Sequence, residues 1–117
     1  MKRKYPILEF DDSNQAIIEP SKVIQKIDVP EHSILCFSND VIEKLKADGK
    51  LKHLTDLPSC MGLHPIYELT FKNKRIAIYH PGIGSSLVAG FFEETIALGM
   101  KKFIACEIGR ASCRERV

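Results

Sequence analysis

No apolar run in this chain approaches the roughly 20 residues a membrane-spanning helix needs, so no membrane partner is expected. The basic start Met1-Lys2-Arg3-Lys4 is followed by Glu9, Asp11 and Asp12, where a secretory signal would carry its apolar core, and cytoplasmic location is the expectation. Charge of one sign is also missing. Lysine and arginine number 17 against 15 acids, a net charge of +2, and the basic residues are interleaved with acids instead of forming a stripe, which argues against nucleic acid as a partner. Cys36, Cys60, Cys106 and Cys113 show no CxxC spacing, and His32, His53, His64 and His80 show neither HxH nor HExxH. No metal site is therefore expected, and the cysteines read as free thiols buried in apolar stretches. No repeat, linker or low-complexity segment divides the chain, and 117 residues at 44% hydrophobic content suffice for one domain with a real core.

What is there is concentrated in residues 75–106, RIAIYHPGIGSSLVAGFFEETIALGMKKFIAC. Ile76, Ala77, Ile78 and Tyr79 form a short apolar strand that stops at His80-Pro81, because proline removes a backbone donor and fixes φ. Gly82-Ile83-Gly84 supplies a backbone that turns tightly and approaches a ligand without a Cβ in the way. Ser85 or Ser86 is then placed to cap a helix whose free N–H groups and positive dipole end face back toward the loop, an arrangement that binds anions. Leu87, Val88, Phe91, Phe92, Ile96 and Leu98 recur at helical spacing with Glu93 and Glu94 on the other side, so one face is expected to lie on a sheet. Gly99 ends this helix, and Phe103, Ile104, Ala105 and Cys106 read as a buried parallel strand. The loop does not match the dinucleotide fingerprint, because Leu87 stands at its third glycine, and no Gly-Lys-Ser/Thr follows to make a P-loop. A purely structural glycine turn is the plain alternative, for His80 as for the loop.

Upstream, Pro20 opens a brief helix carrying Val23, Ile24 and Ile27. Residues 33–37 form a compact strand, and Ser38-Asn39-Asp40 caps a helix through Lys46 that Gly49 closes. Residues 50–59 carry mixed charges up to Pro58 and read as a surface connection. Residues 65–71 and 75–79 are strand-like runs joined by Lys72-Asn73-Lys74, a tight hairpin in which asparagine tolerates positive φ. A hairpin leading into a strand-helix-strand unit predicts an α/β fold, a mixed sheet flanked by helices, with the glycine loop at the carboxyl end of its strand, where open α/β sheets bind ligands.

Two blocks, YELTFKNKRIAIYHPGIGSS and AGFFEETIALGMKKFIA, with IIEPSK further upstream, resemble the nucleoside phosphorylase superfamily of purine nucleoside and uridine phosphorylases and related nucleosidases. The resemblance implies an incomplete nucleoside phosphorylase-like fold and a pentosyltransferase activity, cleavage of the N-glycosidic bond of a nucleoside with inorganic phosphate as co-substrate and no other cofactor. It also implies a homo-oligomer for the full-length enzyme. The phosphate- and ribose-binding positions it implies are Gly82, Gly84, Ser85, Ser86 and Lys22. Lys22 stands where the family's first phosphate loop has arginine, and offers a point charge in place of a bidentate fork. Ile18 and Glu19 take that loop's glycine and aspartate positions.

The pattern departs from the family at the end. Ala105 occupies the position of an arginine, and Cys106 is followed by EIGRASCRERV where the family has a glycine-rich run. Residues 1–106 are therefore expected to form the N-terminal portion of the domain and residues 107–117 a non-native or divergent tail. With no catalytic residue identified in this stretch, the polypeptide alone is expected to be inactive. Hydrolytic nucleosidase activity and a non-catalytic nucleotide-binding module are the alternatives.

Overall fold

The computed structural model describes Tyr5 and residues 12–107. Their elements run α1 (Pro20–Val23), β1 (His32–Cys36), α2 (Asn39–Ala47), β2 (Leu51–Ser59), β3 (Gly62–Phe71), β4 (Lys74–Tyr79), α3 (Ser85–Leu98) and β5 (Lys102–Cys106). The strands form one mixed sheet in the order β2-β3-β4-β1-β5, antiparallel from β2 to β4 and parallel from β4 through β1 to β5. The α/β architecture is thus as expected. The crossover through α3 carries the chain from β4 over β1 to the far edge, so its two strands do not pair with each other.

Alternation along the central strands assigns the helices to opposite faces. Leu35, Ala77 and Tyr79 pack with Phe91 and Leu98 of α3, whereas their neighbours Cys36 and Ile78 pack with Ile42 of α2. Period-two geometry turns successive side chains to opposite sides, so the result is three layers with α2 below and α3 above the sheet. Full burial of a residue such as Phe91 or Leu98 contributes about 1.5–3 kcal/mol each. The β3–β4 hairpin turns through Lys72 (φ 49°) and Asn73 (φ 63°), the two positive-φ positions of a type I′ connection. Arg75 fastens the chain ahead of β1 to β3, with Nη1 3.1 Å from Asp28 Oδ1 and Nε 2.6 Å from Glu68 Oε1.

Four expectations need correction. Residues 50–59 are mostly strand: β2 is an edge strand that shows only one full inward position, Leu57, and a register shift between His53 and Thr55 breaks its alternation. β5 is an edge strand and not a buried one, with Ile104 65% exposed. Of the cysteines, Cys36 is buried, whereas Cys60 and Cys106 are free thiols exposed at the β2–β3 turn and on the β5 edge; Cys113 and residues 108–117 of the expected tail lie outside the described residues. Ile96 also departs from its expected burial at 46% exposure, because α3 meets α1 and not the sheet at that position. Among the described residues no helix is long and apolar enough to cross a membrane.

Candidate functional site

β1 and β4 are adjacent and parallel, yet the helices that follow them leave for opposite faces. Their carboxyl ends therefore part to leave a crevice, the point at which open α/β sheets take ligands. A cavity of about 330 Å³ lies there, walled by Asn39, Ile42 and Glu43 of α2, by His64, Pro65 and Tyr67 of β3, and by His80 just past β4.

The glycine loop begins two residues beyond His80, and none of residues 82–86 lines this cavity. Gly82 (φ 85°) and Gly84 (φ 91°, ψ 141°) adopt backbone conformations closed to other residues, which lets the chain leave β4 and enter α3 within a few residues. At Gly82 a Cβ would run into the side chain of Leu87, whereas the Cβ direction of Gly84 meets open space. Gly84 and not a serine is the N-cap of α3, and no side chain caps the helix. The expected serine cap is absent because Ser85 and Ser86 are already inside the first turn, where both are exposed. The first-turn N–H groups, which have no partner within a helix, thus open toward solvent.

Hydrogen bonding separates the roles of the loop residues. The Gly82 N–H donates to His80 Nδ1 at 3.0 Å, so this amide is committed within the loop and fixes the imidazole. The His80 ring also meets Phe37, at the end of β1, with centroids 6.3 Å apart and planes at 64°. Gly84, Ser85 and Ser86 are exposed to solvent. Lys22 is not brought to them. It is exposed on α1, which packs along α3 beside Glu93, Ile96 and Ala97; Glu93 lies about 12 Å along the helix from Ser85.

Asn39, Glu43, His64 and Tyr67 join the crevice without any signal in sequence reasoning beyond the i, i+4 spacing of Asn39 and Glu43, which places them on one face of α2. The Ser59 hydroxyl lies 2.8 Å from His64 Nε2, but it also accepts the Met61 N–H at 3.1 Å and approaches the Gly62 carbonyl at 3.3 Å. No carboxylate hydrogen bond orients His64 among the described residues, so the pair lacks the third member of a nucleophilic triad and serves to shape the turn. No cluster of three metal-binding side chains occurs among the described residues.

At the end of β4, burial pushes the Tyr79 phenol above its ordinary pKa, and its hydrogen bond with Thr95 partly offsets this. Thr95 Oγ1 donates to the Phe92 carbonyl at 2.8 Å, which spends its proton, so Tyr79 is the donor in the 3.3 Å contact between the two hydroxyls. This buried bond ties the end of β4 to the C-terminal half of α3. Comparison with protein-family models, curated proteins and solved structures finds no match to the chain.

Proposed function

We propose that this chain carries the phosphate- and ribose-facing side of a nucleoside-cleaving site of the nucleoside phosphorylase type. The observation that supports the reading is the uncapped, exposed start of α3 at Gly84, four residues beyond His80 of the crevice between the carboxyl ends of β1 and β4. Backbone N–H groups of Gly84, Ser85 and Ser86 and the helix dipole would hold inorganic phosphate there. In the reaction a phosphate oxygen forms a bond to the anomeric carbon as the C–N bond breaks. The sugar gains oxocarbenium character, and the base leaves with the bonding pair and takes up a proton. Groups that hold the anion against the developing positive charge lower that barrier. Neutral His80, which accepts at Nδ1, presents Nε2–H as a donor for a phosphate oxygen or a ribose hydroxyl.

Hydrolysis is the second reading, favoured by one feature of the crevice. Among the described residues its wall contains Glu43 and no lysine or arginine, a composition better suited to activating water than to concentrating an anion. Calorimetric titration with inorganic phosphate, followed by inosine or uridine, tests the proposal. Phosphate is expected to bind and to tighten nucleoside binding, with no free base released by this chain alone. Base release without phosphate would select hydrolysis, and failure to bind phosphate would overturn the phosphorylase reading. Tight binding of AMP with no response to nucleoside would identify a non-catalytic nucleotide module.

A further inference from the structure

A second cavity, of about 440 Å³, opens at the other end of the sheet, on the face that carries α2. The register defines it. His32 pairs with Ile76 and with Lys102, Ile34 pairs with Ile104, Leu69 pairs with Ile76, and Phe71 pairs with Lys74. By the two-residue period, Ile34, Phe71, Ile76 and Ile104 therefore share one face with His32, Lys74 and Lys102. α2 packs on Cys36 and Ile78 toward the carboxyl ends and leaves the amino-terminal half of this face uncovered. The outcome is an apolar floor with a cationic rim, completed by Lys72, and no acid is among the described residues that line it.

From this juxtaposition we propose that the groove is a binding site for an amphiphilic monoanion, a free alkyl carboxylate whose chain lies on Ile34, Ile76 and Ile104 and whose head group meets Lys74 and Lys102. Charge complementarity selects an anion. It also disfavours a second copy of the chain placed groove to groove, which would bring two lysine rims together. Size selects a single chain: 440 Å³ lies in the range of roughly 300–1,000 Å³ of small-ligand pockets. Three turns of a docked helix, about 10–12 Å across, would need about 1,200 Å³ or more. Lys102 lies 3.7 Å from Glu31, a loose and exposed pair that a carboxylate ligand can displace. The site is remote from the glycine loop and does not depend on the proposed reaction.

The test is methyl NMR of the full chain, titrated with dodecanoate and, separately, with dodecyltrimethylammonium below their micellar concentrations. Dodecanoate is expected to shift the methyls of Ile34, Ile76 and Ile104 saturably, while those of Ile42 and Leu57 stay in place. The double variant Lys74→Glu/Lys102→Glu, whose exposed positions preserve the fold, is expected to bind at least tenfold more weakly. Ile104→Glu, also at an exposed position, gives a second variant with the same expected loss. Equal shifts with the cationic amphiphile, shifts spread into the core, or no shift at all would overturn the proposal. So would floor methyls that respond only to protein concentration, which would indicate self-association, or only to anionic vesicles, which would indicate a membrane surface.

Discussion

The backbone N–H of Gly82 donates to Nδ1 of His80 across 3.0 Å, so the turn that carries the chain from β4 to α3 also sets which imidazole nitrogen faces outward. Neutral His80 must hold its proton on Nε2. Nitrogen-15 chemical shifts of the ring at pH 8 are expected to report the Nε2–H tautomer. In Gly82→Ala the strained turn is expected to release the ring and mix the tautomers.

The two loop glycines differ in what a side chain would meet. Gly84→Ala adds backbone strain alone and is expected to cost about 1–3 kcal/mol. Gly82→Ala adds the collision with Leu87 and is expected to cost more. Urea denaturation of the two variants checks the order.

Thr95→Val keeps the shape of the side chain but leaves the Tyr79 hydroxyl buried without a partner, at an expected cost of about 1–3 kcal/mol. Tyr79→Phe removes the donor and is expected to cost less. Because the Tyr79 phenol titrates above 10.0 in the folded state, the folded chain binds more protons than the unfolded one once the pH passes that value. Its contribution is full below pH 10 and is lost as the pH rises through the folded pKa. Stability measured above pH 10 should therefore fall less steeply in Tyr79→Phe than in the parent chain.

Burial alone raises the Glu94 carboxyl above its ordinary 4.5. The folded state then holds the proton more tightly than the unfolded state, so stability declines as the pH rises through this range and stays lower at neutrality. Glu94→Gln is expected to raise the melting temperature slightly at pH 7, and the gain should vanish at pH 3, where both side chains are neutral.

Ser33 Oγ is buried without a hydrogen-bond partner among the described residues, between Ala77 on β4 and Phe103 on β5. Ser33→Ala removes an unsatisfied group and is expected to leave stability unchanged or to raise it in thermal melts.

The elements with strong local signals were legible in the sequence: β1 with its uninterrupted apolar run, the Lys72-Asn73 turn, and β4, the glycine loop and α3 as one unit. β2 was not, because an edge strand with a bulge and with Pro58 outward has neither an apolar run nor clean alternation. β5 reads as buried because Phe103 and Ile104 are apolar, and its position at the sheet edge is a property of strand order that no local pattern encodes. The same holds for the crevice. His80 stands out beside the glycine loop, but Glu43, His64 and Tyr67 meet it only once β3 has paired with β4, and Lys22 is held away from the loop by the packing of α1 on α3.

Whether the start of α3 is an anion site is decided by an amide NMR titration with inorganic phosphate at constant ionic strength. Saturable shifts centred on Gly84, Ser85 and Ser86 are expected, with His80 Nε2–H responding in step and Lys22 unmoved. Shifts scattered over surface lysines, or a loop that stays silent while phosphate binds elsewhere, would contradict it.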